Sequence, residues 1–160
     1  ADDKEASPMR PLVLKGHSRP LTRVLFNREG DILFTVAKDA RPTAWWASSG
    51  ERIGTYNGHT GAVWDVAVNW DTTRVATAGA DNTLRWWDAE TGECIFAWEF
   101  RSPARSVALS PDERVVAVAN AKLMGQHSAI RFMRGEDGVG EMAHEEMRVI
   151  EGEGLQETAI

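Results

Sequence analysis

Gly16-His17 recurs as Gly58-His59, Asp39 as Asp81, Trp45 as Trp87 and Gly50-Glu51 as Gly92-Glu93, each at an offset of 42 residues with no insertion between the copies. A fixed period of this size means that one supersecondary unit is stacked several times, since a single unit cannot bury its apolar face alone. This constrains the fold more than any composition does.

Within each copy, short β-branched and aromatic runs alternate with turn-forming clusters. The first copy predicts strands over Leu21 to Phe26, Ile32 to Ala37, Thr43 to Trp46 and Arg52 to Tyr56. The second predicts Val63 to Val68, Arg74 to Ala78, Thr83 to Asp88 and Cys94 to Trp98. Four strands, a Gly-His pair ahead of the first and a Trp closing the third form the signature of a WD40 blade in a β-propeller. The expected fold class is all-β, a WD40 β-propeller fragment of about three four-stranded blades.

A third, degenerate copy is expected over Ala104 to Leu109, Val115 to Ala119 and Ala129 to Phe132, with Phe100-Arg101 in place of Gly-His and Phe132 in place of the Trp. The expected organisation is a disordered extension over 1–8, blades over 9–134 and an acidic Gly-rich loop over 135–146. The outer strand of blade three and the start of a fourth blade are expected over 147–160. Leu12 to Leu14 is expected to be a short strand that lacks its partners in this chain, and so to be frayed, domain-swapped or paired with another chain. At 160 residues the chain holds about 3.8 repeats, whereas propellers typically have 4–8 blades. It therefore reads as part of a larger protein or as a truncated gene product.

Each of the two regular copies carries a matched polar set: His17, Thr35, Asp39 and Trp45 in one, His59, Thr77, Asp81 and Trp87 in the other. Asp can accept from His, His can meet the Thr hydroxyl, and that hydroxyl can accept the indole N–H. These are expected to be structural hydrogen-bond sets tying the loop before the first strand to the third strand. A nucleophilic triad is the rival reading, but catalytic sites are seldom duplicated in adjacent repeats. No catalytic, cofactor-binding or metal-ligating residue is expected. The four His and single Cys94 lack zinc-ligand spacing. Gly138-Val139-Gly140-Glu141-Met142-Ala143 fits G-x-G-x-x-A only formally, because it stands in an acidic stretch.

Charge is uneven. Residues 135–160 hold eight acids and one base, leaving the remainder near neutral within a total of −6. Direct nucleic-acid binding is not expected, since the arginines are spread over turns and strands rather than forming a stripe. One Cys excludes an internal disulfide and fits a reducing compartment. No apolar run is long enough to span a membrane, and Ala1-Asp2-Asp3-Lys4-Glu5 lacks signal-peptide character. The expected location is cytoplasmic. Of the tryptophans, Trp64 and Trp86 are expected in the core, and Trp70, in a turn, is the surface candidate.

Leu14-Lys15-Gly16-His17 and the run Phe26 to Asp39 closely resemble the start of the WD-repeat i subunit of eukaryotic translation initiation factor three. Gly50 to Tyr56, Gly58 to Trp64 and the turn Lys122-Leu123-Met124-Gly125 continue the likeness, which covers about residues 9–134 and only the N-terminal half of that family. The resemblance implies a seven-bladed parent and a non-catalytic interaction scaffold without cofactor. It implies the b and g subunits of the factor as partners, and the small ribosomal subunit through the complex, in mRNA recruitment and start-site selection. No partner-binding residue is carried over, because contacts to the b subunit are expected from later blades. The competing functional class is a WD40 adaptor in another complex, for receptor-kinase signalling or ubiquitin-ligase substrate recognition. An enzyme using the propeller funnel is a third, disfavoured because the polar residues are used once per blade.

Overall fold

A computed structural model of the protein describes residues 10–134 and 145–151. The described residues form three antiparallel sheets of four strands each, with no helix among them. Blade one comprises β1 (Leu21–Phe26), β2 (Ile32–Ala37), β3 (Thr43–Trp46) and β4 (Arg52–Thr55). Blade two comprises β5 (Val63–Val68), β6 (Arg74–Gly79), β7 (Thr83–Asp88) and β8 (Cys94–Glu99). Blade three comprises β9 (Ala104–Leu109), β10 (Val115–Asn120), β11 (Ala129–Arg134) and β12 (Glu145–Glu151). In every sheet the strands pair in chain order, so each blade is a simple meander.

The turn chemistry sets the strand ends. Gly30, Thr72 and Glu113 hold the same left-handed corner of the first hairpin, at φ 75°, 60° and 56°. An Asn or Ser closes each turn from inside. Ile32 N–H donates to Asn27 Oδ1, Arg74 N–H to Asn69 Oδ1 and Val115 N–H to Ser110 Oγ. Pro42, which lacks a backbone donor, sits just before β3, and its carbonyl accepts from Tyr56 N–H at 2.9 Å. Removing a donor there costs no ladder bond.

Two apolar clusters hold the blades together. Phe34, Val36, Ala44 and Tyr56 of blade one meet Val63, Val66, Val75 and Trp87 of blade two. Ala76, Leu84 and Trp86 of blade two meet Val107, Val116, Val118 and Met133 of blade three. Side chains alternate faces along a strand, so β7 sends Trp87 to one neighbour and Trp86 to the other. Blade one shows what an uncovered face looks like: Leu21, Val24 and Phe26 of β1 are all more than half exposed.

Three expectations need correction. Leu12 to Leu14 form no strand; without a pairing strand beside them they lie as irregular chain against blade one, Leu12 and Leu14 covering Gly50. Met133, not Phe132, takes the Trp position. Met133 pairs with Val116 as Trp87 pairs with Val75, and it is buried against blade two. The strand β12 begins at Glu145 rather than Met147, because β11 runs on to Arg134 and pairs with it, taking Glu145 and Glu146 out of the acidic loop. Positions 1–8, the rest of that loop through 144 and the start of a fourth blade lie outside the described residues.

Candidate functional site: the capped end of the blades

In a four-stranded meander, the segment before the first strand and the second turn lie at one end, while the first and third turns lie at the other. Lys38 N–H donates to Pro20 O, Ala80 N–H to Ala62 O and Ala121 N–H to Pro103 O, closing the first end in all three blades. The two polar sets are built at this end.

In blade two, His59 Nδ1 lies 2.8 Å from Asp81 Oδ2 and its Nε2 2.7 Å from Thr77 Oγ1. Trp87 Nε1–H donates to the same Thr77 oxygen at 2.8 Å. Blade one repeats this: His17 Nδ1 to Asp39 Oδ2 is 2.9 Å, Nε2 to Thr35 Oγ1 is 2.7 Å and Trp45 Nε1 to Thr35 Oγ1 is 2.8 Å. The structure thus brings all eight residues together in two separate chains. Consistent assignment follows from donor count: Nδ1–H donates to the carboxylate, Nε2 accepts the Thr hydroxyl proton, and the hydroxyl oxygen accepts the indole N–H. The second carboxylate oxygen takes backbone donors from Arg41 and Thr83, folding the Asp turn around itself.

The glycines of this end are required by close approach. A Cβ on Gly16 would fall 2.6 Å from the Trp45 ring, and one on Gly79 would fall 2.6 Å from Asp81 Oδ1 and 2.7 Å from His59 Nδ1. Burial opposes ionisation of Asp81. The hydrogen bonds from His59, Thr83 and the Thr60 N–H outweigh it and hold the carboxyl well below the usual range. Asp39 is lowered in the same way, burial being overcome by His17, Ser18 and Arg41.

Thr77 is fully buried and Thr35 nearly so, and each hydroxyl oxygen already receives an indole N–H, so neither hydroxyl faces solvent. No group of three or more His, Cys, Asp and Glu suited to a metal occurs among the described residues. In blade three Pro103 holds the place of Ala62, which puts Phe100, rather than the expected Arg101, in the His position, and the blade uses another tie. Asn120 Nδ2 donates to Ser102 O at 3.2 Å while its Oδ1 accepts from Arg131 Nε at 3.1 Å.

Sequence reasoning missed Asp65. It is buried on β5, where Oδ1 pairs with Arg23 Nε of β1 at 2.9 Å and Oδ2 accepts from Ser106 Oγ and Val107 N–H of β9 at 2.7 and 2.9 Å. One carboxylate therefore joins three blades. Arg23, Asp65 and Ser106 hold one position of the repeat, at offsets of 42 and 41 residues, with the chemistry changing at each step. Trp64, beside it, is half-buried with Arg105 Cζ 4.3 Å and Lys38 Nζ 5.7 Å from its ring centre. Trp86 is buried and Trp70 is 61 % exposed under the Arg28 guanidinium.

The WD domain, G-beta repeat, matches residues 50–88. The chain is 50% identical over 125 residues to eukaryotic translation initiation factor 3 subunit I of Aspergillus terreus, covering 78% of this chain and 37% of that protein. It is 47% identical over 130 residues to the protein of that name from Caenorhabditis briggsae, covering 81% and 40%. It is 50% identical over 115 residues to the one from Caenorhabditis elegans, covering 72% and 35%. The chain thus spans about two fifths of the length of the curated relatives it matches. Among solved structures, that titled "Structure of U3-55K" superposes with a TM-score of 0.74 at 16% identity, covering 88% of this chain and 42% of that one. This last likeness shows the propeller fold alone.

Proposed function

The chain is a WD-repeat protein similar to subunit I of eukaryotic translation initiation factor 3, and from this premise we propose that it serves as a non-catalytic scaffold within that factor. The observation that carries the reading is identity near one half, spread over 72–81% of the chain, with proteins of that name from a fungus and two nematodes. Such identity extends well past the Gly, His, Asp and Trp positions that build any blade of this kind. The geometry supports the non-catalytic part. The only His-Asp-hydroxyl sets among the described residues are consumed in holding strands together, and what remains exposed is a rigid, turn-built surface.

On this reading the partners are other subunits of the factor, the b and g subunits among them, and the small ribosomal subunit is met through the assembled complex. The setting is mRNA recruitment and start-site selection in the cytoplasm. No helix among the described residues is long and apolar enough to cross a membrane. The test is affinity capture of the tagged chain from its own cells, with the co-purifying proteins identified by mass. Recovery of initiation-factor subunits above an untagged control is expected. Recovery instead of receptor-kinase or ubiquitin-ligase components would overturn the proposal in favour of an adaptor role elsewhere.

A further inference from the structure

The two ends of the blades carry opposite charge. At the capped end, Lys15, Arg19, Lys38, Arg41, Arg101 and Lys122 are all exposed, and among the described residues none forms an ion pair with an acid. The two acids in the connecting segments there, Asp39 and Asp81, are engaged by His17 and His59, and Glu99, exposed at the end of β8, stands against these cations without outnumbering them. The opposite end carries Glu29, Asp31 and Glu51 in blade one, Asp71, Asp88, Glu90 and Glu93 in blade two, and Asp112 and Glu113 in blade three, against Arg28, Arg52, Arg74, Arg114 and Arg134, of which Arg74 is taken up by Asp88. Like charges gathered on one face set up a field that attracts the opposite sign and steers encounter.

An apolar knob stands in the positive field. The turn between β10 and β11 closes on itself, Leu123 N–H to Gln126 O at 3.2 Å and Gln126 N–H to Leu123 O at 2.8 Å. At its tip Met124 is 96 % exposed, with Leu123 beside it and Lys122 preceding. The turn uses left-handed backbone at Met124 and Gly125, φ 41° and 83°. A large apolar side chain fixed on a closed turn has little backbone freedom left to lose on docking, and Met adapts to irregular apolar surfaces.

We propose that the capped end is a docking surface for an acidic, amphipathic protein segment, whose carboxylates meet the six cations and whose apolar residues close around Met124 and Leu123. A single-stranded nucleic acid fits less well. Bases need an open aromatic face, whereas Trp64 is covered by Lys38 and Arg105 and both Trp45 and Trp87 are buried. A methionine knob also adds nothing to phosphate binding. The proposal stands apart from the initiation-factor reading and survives its failure.

The test uses the whole chain and three probes: a fluorescein-labelled synthetic peptide of glutamates interspersed with leucines, poly-uridine RNA, and the chain itself at rising concentration. The peptide is expected to bind and to weaken with salt. Met124→Glu, and separately Arg101→Glu with Lys122→Glu, should each weaken it about tenfold, while Glu51→Lys with Glu90→Lys at the other end should not weaken it. All of these side chains are exposed, so unchanged thermal melts separate lost binding from lost fold. Absence of peptide binding overturns the proposal. So does tighter binding of poly-uridine that ignores Met124→Glu, which would make the end a nucleic-acid surface. Self-association abolished by the Glu51→Lys pair overturns it too, in favour of copies stacked end to end.

Discussion

Trp86 and Trp87 are neighbours on β7 that turn their indoles toward opposite blades, and only Trp87 has a partner for its N–H. Trp87 packs against Phe34, Tyr56 and Val63 and donates to Thr77 at 2.8 Å. Trp86 packs against Val107, Val118 and Met133, and its buried Nε1 meets no acceptor. Replacement by Phe should therefore separate the two. Trp87→Phe removes a hydrogen bond at the junction of the His59 chain and is expected to cost about 1–3 kcal/mol beyond lost area. Trp86→Phe discards an unsatisfied donor and should cost less than about 1.5 kcal/mol. Urea denaturation midpoints at unchanged slope give the comparison; equal losses would mean that the indole N–H of Trp87 contributes nothing.

The carboxylates of the polar sets give the chain a directed pH dependence. Asp39 and Asp81 are held below the usual range in the fold, so the unfolded chain binds protons first as pH falls. Their contribution is present above the ordinary aspartate pKa of about 3.9 and is lost as pH drops from there toward the depressed folded values. Asp71, Asp88 and Asp112 are lowered as well, but they are exposed enough for solvent to screen much of the effect. Stability measured by urea midpoint is expected to be flat from neutral pH to about 5 and to fall below about 4. Asp81→Asn should start lower and fall less steeply over that interval. A variant as pH-sensitive as the parent would remove Asp81 as the source.

Ala40 and Asn82 occupy the same corner of equivalent turns, both at φ 65°. Left-handed backbone costs a Cβ-bearing residue about 1–2 kcal/mol, and Asn tolerates it better than Ala because its short amide hydrogen-bonds locally. Blade two already uses Asn there. Ala40→Asn is expected to stabilise blade one by up to about 1 kcal/mol, read as a higher melting temperature. A lower one would mean that Ala40 is held by contacts the turn geometry does not explain.

The repeat spacing and the turn residues make the strands readable, and the predicted and observed limits differ by at most two residues in the first eleven strands. The polar sets are readable because a His, a Thr, an Asp and a Trp offer matching donors and acceptors at constant spacing. What resists reading is whatever does not repeat. Asp65 bridges three blades with a different partner in each, so no column of like residues announces it. The Met133 substitution for Trp hides in the longer turn ahead of β11, where the offset from blade two changes. Charge segregation between ends appears only after strand order assigns each connection to an end; along the chain, the same lysines and glutamates look evenly mixed.

Blade three should be the softest of the three. Its loop and third strand are tied by Asn120 and Arg131 instead of a buried His-Thr-Trp chain. Met133 fills the place of an indole, and Phe100 stands where His59 stands in blade two. Arg131 also lies 5.8 Å from the Phe100 ring, so this tie runs through a long flexible side chain with much rotamer freedom to lose. The blade still shares its apolar face with blade two through Val107, Val116 and Val118, which keeps it folded at low denaturant. Amide exchange under native conditions reports the free energy of such local opening. Amides of residues 104–134 are expected to lose protection at lower denaturant than those of 63–98. Asn120→Ala should widen the gap by about 1–3 kcal/mol, because it leaves the Ser102 carbonyl and the Arg131 guanidinium without their amide partner. Equal protection across both blades would show that the shared apolar face, and not the polar tie, sets the local stability.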